Sequence, residues 1–365
     1  MILLLAACLL YYLAALYAAL RFGATPPAAS QYLPAVSLLK PVRGCDREFY
    51  SCLRSFAAQD YPDFEMLLAV RDPADPAVPE IRRLAAEFPG RRIEVFFTER
   101  DYGLNAKVNS LERLRSEARH EVLLISDADI RVAPGYLRRV VAPLADPAAG
   151  MVTCPYRGAP GEGLPSILEA LWISTDFMPS VLVARLLGIE AALGATMVFR
   201  RADLERIGGF TPLASYLADD YQLGRAIGGR IVLSDGPVET VLAAGSWAHA
   251  WSHRLRWGRT LRVCRPAGYA GVLITFAVPL ALLALAVQPA VLPLALACVA
   301  LRLLVAGLVT RRLADPLPLR RWLLLPLSDL LSLAIWLASL FGRTVVWRGV
   351  RLRLRGDGTL AASAS

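Results

Sequence analysis

The first twenty residues, MILLLAACLLYYLAALYAAL, carry no charge. An uncharged apolar run of that length can span a bilayer, and this limits the fold before any motif is read. No basic residue precedes the run, no clear A-x-A site ends it, and Arg21 follows it, so residues 1–21 read as a retained anchor and not a cleaved signal peptide. Three further apolar segments, about Tyr269–Gln288, Ala290–Val309 and Trp322–Phe341, predict a C-terminal membrane unit over 269–341, followed by a basic tail over 342–365. Composition agrees: the chain is 56% hydrophobic and only 19% charged, where about 25% charged is usual.

Between the two membrane regions lies a soluble-looking stretch, residues 35–265, ample for one α/β domain. The net charge is +9. Much of it sits beside the apolar segments, at Arg254, Arg256, Arg259, Arg262 and Arg265, at Arg311, Arg312, Arg320 and Arg321, and from Arg343 to Arg355. Arginine in such places favours the cytoplasmic side and anionic head groups, so the charge argues for a lipid bilayer as partner and against nucleic acid. The six cysteines form no CxxC pair, which fits a reduced, cytosol-facing domain with neither disulfide framework nor zinc site.

Inside the domain, short apolar runs alternate with helical patterns. After a Pro-rich linker (Thr25–Pro34), Ala35–Leu39 reads as a strand, and Asp46 can cap a helix reaching about Ala58. Strand Phe64–Val70, helix Val78–Phe88, strand Ile93–Phe97 and helix Ala106–Ala118 follow. The next run, Glu121-Val-Leu-Leu-Ile-Ser-Asp127-Ala-Asp129, stops abruptly at two carboxylates. Strands alternating with helices predict βαβ units and a mostly parallel, Rossmann-like sheet whose ligands sit at the strands' carboxyl ends. Polar clusters fall at three of those ends: Lys40/Arg43, Asp72/Asp75 and Asp127/Asp129.

Two aspartates at i and i+2 on a strand turn can share a divalent cation that also grips a diphosphate, although turns are rich in solvated aspartate for unrelated reasons. The loop Asp101–Asn109 leads into a helix and places Lys107 where an anion could bind. Leu164–Leu187 is strongly apolar with few charges, suited to lie on a bilayer surface; a buried core helix would look the same. In Gly194-Ala195-Thr196, small residues let a ligand approach the backbone. Asp219 and Asp220 open a helix, and at ~100° per residue only one of them can face a given site. His253-Arg-Leu-Arg256-Trp257 begins the basic run into the membrane segments and would also serve as an interfacial Arg/Trp anchor.

As an ordered set, Asp72, Asp127, Asp220 and Arg256-Trp257 resemble the D, D, D, (Q/R)xxRW series of processive-type and lipid-directed family 2 and 21 glycosyltransferases. The stretches KPVRG (40–44), QDYPDFEMLLAVRDPADPA (59–77), LNAKVNSL (104–111), SDADIRVAPGYL (126–137), ADDYQLG (218–224) and VWRGVRLRL (346–354) are similar to ceramide glucosyltransferases and to the related bacterial hopanoid-biosynthesis glycosyltransferases. The resemblance runs from about Ala35 to Leu354. It departs at His253, where the family usually has Gln or Arg, and at Asp129, which makes a full DxD where the eukaryotic ceramide enzymes keep mainly the first carboxylate.

The resemblance implies a GT-A fold and an inverting transfer of glucose or N-acetylglucosamine from a nucleotide sugar, expected to be UDP-linked, to the hydroxyl of a ceramide- or hopanoid-type membrane lipid. It implies that Asp220 is the general base and that Asp127 and Asp129 hold Mg2+ or Mn2+. Lys40, Asp72, Lys107, Asp127, Arg256 and Trp257 would serve the donor, and Gly194, Ala195, Thr196 and His253 the acceptor. The expected location is a bacterial plasma membrane with the catalytic domain in the cytoplasm. A crossing by the last apolar segment would put five arginines (Arg343, Arg348, Arg351, Arg353, Arg355) outside, so an interrupted hairpin at Pro326 and Asp329 is expected there. A processive polysaccharide synthase would need more membrane segments for its channel, and a non-catalytic scaffold would not need carboxylates at three strand or helix ends.

Overall fold

The computed structural model of the chain describes residues 1–23, 30–46, 48–242, 245–316, 318–347 and 349–362. Residues 25–29 of the expected linker and Arg348 of the tail lie outside the described residues. Among the described residues, thirteen strands form three sheets. The first four are β1 (Val36–Pro41), β2 (Phe64–Val70), β3 (Ile93–Phe97) and β4 (Val122–Ser126); β5 (Ile130–Arg131), β6 (Ala149–Thr153), β7 (Tyr156–Ala159) and β8 (Thr196–Arg200) follow. Next come β9 (Arg230–Leu233) and β10 (Val238–Val241), then β11 (Thr344–Trp347), β12 (Val350–Leu354) and β13 (Leu360–Ala362).

The main sheet has the order β3-β2-β1-β4-β8-β6-β9. All its pairings are parallel except those of β8, which runs against both β4 and β6. Strands β1, β2 and β4 are buried along their whole length, which is why they read as unbroken apolar runs. Helices Phe49–Ala57, Ala77–Glu87 and Ala106–Glu117 connect the first four strands. The last of these begins where the Asn105 side chain accepts from the Val108 amide at 3.1 Å. Strand addition proceeds one way from β1 to β2 and β3 and the other way to β4. This reversal opens a crevice at the carboxyl ends of β1 and β4, which is where Lys40 and Asp127 lie.

Among the described residues, four helices are long and apolar enough to cross a membrane: Ile2–Arg21, Leu164–Leu186, Pro289–Arg312 and Arg320–Ser339. The first packs against Leu292–Arg312 through Cys8, Tyr12, Ala15 and Ala19, a stripe of mostly small residues at helical spacing. Arg312 donates to the Leu20 carbonyl at 3.0 Å, and Arg157 of β7 donates to that of Leu313 at 2.9 Å. The carboxyl ends of the two helices are thereby tied to each other, and that of the second is tied to β7.

Three expectations about these segments change. Leu164–Leu186 is a helix (Leu164–Trp172), a π turn (Ile173–Phe177) and a helix (Met178–Leu186). Part of it is packed inside the protein, since Met178, Leu182 and Val183 join one cluster with the anchor and Leu292–Arg312, while Leu164 and Leu186 stay exposed. The stretch expected to cross from Tyr269 is broken at Phe276, where Pro266–Thr275 and Ala277–Val287 meet at 64°. The hairpin break expected at Pro326 is absent: Leu325–Ser339 is continuous, with Pro326 in its first turn, where a missing N–H costs no helical bond.

The tail stays with the catalytic domain by direct bonding. Leu360 N donates to Ser215 O at 2.7 Å, and Leu217 N donates to Gly358 O at 3.3 Å. Leu352, Leu354 and Leu360 pack on Leu217 and Val263.

Candidate active site

Strand β4 delivers Asp127 to the crevice, and helix Ala106–Glu117 delivers Lys107 opposite it; Lys107 Nζ lies 2.7 Å from Asp127 Oδ1 and 3.8 Å from Asp219 Oδ2. Burial works against a charge on Lys107, yet Asp127 and Asp219 outweigh it and hold the ammonium above lysine's ordinary range. Asn105 donates to Asp219 Oδ1 at 3.3 Å. The same amide that caps the Lys107 helix therefore also fixes Asp219.

Asp220, one residue on in helix Asp219–Ile227, turns elsewhere. A Cβ placed on Gly194 would come within 2.8 Å of Asp220 Oδ2, so the close approach needs glycine there. Burial and the neighbouring Asp219 push the Asp220 carboxyl up to about 6, with Lys107 and the Tyr221 amide pulling the other way. Such a carboxylate can take up a proton near neutral pH.

Lys40 was expected to line the donor pocket but is 0% exposed. Its Nζ donates to Asp127 O at 2.8 Å and to Ser126 Oγ at 3.2 Å, and lies 3.7 Å from the centre of the Phe56 ring. It therefore props the Asp127 turn from beneath. Burial pulls its pKa down to about 7. Thr196 is likewise misplaced as an acceptor contact: it is fully buried at the start of β8, with its hydroxyl accepting from Tyr136 at 3.2 Å. Ala195 is also buried, leaving Gly194 as the residue of the three that touches Asp220. Asp72 sits exposed just past β2, accepting from Ala74 N at 2.9 Å.

Helix Trp247–Cys264 brings Trp257 and His253 against helix Leu164–Trp172 and its π turn. Trp257 packs edge-on against Tyr156, Trp172 and Phe177, with ring centres 5.3 to 6.5 Å apart. His253 pairs with Glu169 at 2.5 Å, so its ring is held by a carboxylate of the π-turned helix. Arg254 lies over Trp172 at 4.6 Å and donates to Ser332 at 2.6 Å. Glu169 and Tyr156 were not singled out from the sequence, and Asn105 was read only as part of the loop leading to Lys107. A lone carboxylate inside LPSILEALW is the one signal that could have marked Glu169.

Asp127 and Asp129 stand on the turn between β4 and β5, and no group of three or more His, Cys, Asp or Glu side chains able to hold a metal occurs among the described residues. Two carboxylates fit a cation that completes its shell with diphosphate oxygens, as Mg2+ does, and not a cage made by the protein alone.

The family model described as Glycosyl transferase family 21 matches residues 1–360. The chain is 30% identical over 200 residues to ceramide glucosyltransferase 1 of Caenorhabditis elegans, an alignment covering 54% of this chain and 43% of that one. It is 29% identical over 164 residues to the ceramide glucosyltransferase of Gibberella zeae, covering 41% and 31%. The chain thus spans under half the length of these curated relatives. Among solved structures, a mannosyltransferase from Pyrobaculum calidifontis in complex with GDP-Man and Mn2+ superposes with a TM-score of 0.54 at 22% identity, covering 93% of this chain and 96% of that one. That likeness is one of fold, the GT-A arrangement of a mostly parallel sheet.

Proposed function

Since the chain belongs to glycosyl transferase family 21, we propose that it is an inverting enzyme moving glucose or N-acetylglucosamine from a UDP-linked donor to the hydroxyl of a ceramide- or hopanoid-type membrane lipid. The observation that carries this reading is the Asp220 carboxylate, raised to about 6 and pressed on Gly194 beside the Lys107–Asp127 pair. An inverting transfer is a single in-line displacement. The lipid oxygen bonds to the anomeric carbon as the bond from that carbon to the diphosphate breaks, and the hydroxyl proton passes to a base. Asp220 is that base in this reading.

Negative charge builds on the leaving diphosphate, and the permanently charged Lys107 stands next to the turn that would receive it. Asp127 and Asp129 would hold Mg2+ or Mn2+ there, and the cation when bound would neutralise leaving-group charge. Asp72 would contact the base or ribose of the donor, and Arg256 would close on the diphosphate. The aromatic wall of Trp257, Trp172 and Phe177 would keep water from the acceptor, with His253 held toward it by Glu169. The ties between the carboxyl ends of the membrane helices and β7 support an active site at the bilayer surface, on the cytoplasmic side by the positive-inside rule.

The test is transfer from UDP-glucose and UDP-N-acetylglucosamine by the purified chain, with and without lipid, followed by mass spectrometry of the lipid product. Chelation is expected to abolish transfer and Mn2+ or Mg2+ to restore it, while calcium, with its longer and looser bonds, restores it poorly. Asp127→Asn is expected to lose more activity than Asp129→Asn. Full activity in excess chelator would remove the metal from the mechanism, and donor hydrolysis indifferent to every lipid would remove the lipid acceptor.

A further inference from the structure

The end of helix Trp247–Cys264 and the tail sheet enclose an open cavity of about 790 Å³ lined by Arg262, Val263, Pro266, Leu340, Gly342, Arg343, Thr344, Arg353 and Gly356. Three arginines line it and no acidic residue does. Arg262 spends its guanidinium on main-chain oxygens, donating to Leu340 O and Gly342 O. Arg259, beside it, does the same to Phe341 O and Thr344 O. Burial and then the charge of Arg262 pull the Arg259 pKa down. Arg343 and Arg353 are exposed, and neither makes an ion pair among the described residues. Like charges gathered this closely, two bonded to carbonyls and two in no ion pair among the described residues, favour an anion from outside the chain.

The position of the cavity says which anion. It lies where membrane helix Leu325–Ser339 ends, next to Leu340 and to Phe341, which is 72% exposed. An exposed phenylalanine two residues before Arg343 places apolar surface at the acyl level and positive charge at the head-group level of one leaflet. On β12, Leu352 and Leu354 face the catalytic domain, while Arg353 between them faces the cavity. We propose that this cavity binds the phosphate-bearing head group of an anionic phospholipid, at a site separate from the acceptor path, and so fixes the tail sheet to the membrane surface.

The probe is native mass spectrometry of the full-length protein in detergent, supplied with equal amounts of phosphatidylglycerol and phosphatidylcholine. The wild type is expected to retain phosphatidylglycerol selectively. R343Q/R353Q removes two exposed charges without touching the core and is expected to lower that selectivity about 30-fold. R82Q/R83Q, an equal charge loss on the exposed face of helix Ala77–Glu87, is expected to leave it unchanged, and unaltered thermal melting of both variants establishes that they are folded. Equal retention of the two lipids by the wild type, or undiminished phosphatidylglycerol on folded R343Q/R353Q, would overturn the proposal. Inorganic phosphate that displaces the lipid at low millimolar concentration and raises melting alone would assign the cavity to a soluble anion instead. None of these readouts uses glycosyl transfer, so they stand apart from the assignment of activity.

Discussion

Asp219 and Asp220 are adjacent and both acidic, yet their surroundings give them different work. Asp219 is bound to Asn105 and Lys107, whereas Asp220 meets Gly194. Removing a general base costs about 10² to 10⁴ in rate, so Asp220→Asn is expected to lose at least about a hundredfold in kcat with donor affinity unchanged, while Asp219→Asn keeps most of its activity. The pH profile separates them further. Asp220 must be ionised to accept a proton, so kcat should fall as pH drops through about 6. Asp219 raises that value by like-charge repulsion, and Asp219→Asn should therefore move the acid limb to lower pH. An unmoved limb would detach the limb from Asp220. Gly194→Ala forces a methyl group to within 2.8 Å of Asp220 Oδ2 and should reduce kcat while leaving UDP binding intact, measured by calorimetry. At this scale the sequence revealed identities better than directions. Asp127, Lys107 and Asp220 stood out because polar groups at strand and helix ends are conspicuous. The same logic placed Lys40 in the pocket, since nothing local shows that Phe56 and the Asp127 carbonyl will bury an ammonium.

Among the elements, the π-turned helix shows how one imino acid sets up a long-range contact. The Thr175 carbonyl would ordinarily accept from residue 179, but Pro179 has no N–H to give. Arg302, from the middle of Leu292–Arg312, donates to that carbonyl at 2.7 Å and pairs with Asp329 of the last helix at 2.8 Å. Three apolar helices are thus joined by one charged side chain that is 2% exposed. Removing one partner of such a pair typically costs about 3–5 kcal/mol, because the other charge is left buried alone. Arg302→Met is expected to lower the melting temperature in detergent sharply, and R302M/D329L to recover most of it. If the double variant melted no higher than the single, the pair would not be the source of the loss. Sequence alternation disclosed β1, β2 and β4 because they are buried on both faces, but the reversal of β8 and the 64° break at Phe276 leave no periodic trace. Direction and bend are settled by what an element packs against.

For the whole molecule, the helix that carries Asp220 is braced by residues more than a hundred positions away in the chain. A three-stranded sheet needs a covered hydrophobic face to be stable. β11 to β13 persist because Leu352, Leu354 and Leu360 close over Leu217, two residues before Asp219, and because Leu360 N bonds to Ser215 O. The segment leading into helix Asp219–Ile227 is therefore clamped between the tail sheet on one side and Asn105, which donates to Tyr216 O at 2.8 Å, on the other. Leu354→Asp places a charge in that packed cluster with no partner, which strongly destabilises the small sheet while leaving the main sheet and the Asp127 turn intact. The expected outcome is a large fall in kcat with UDP binding retained and the principal melting transition little changed. Val350→Asp, at a half-exposed position of the same strand, should be close to wild type. Loss of UDP binding and of the main transition together in Leu354→Asp would mean that the tail is part of the domain's core and not a brace on its base.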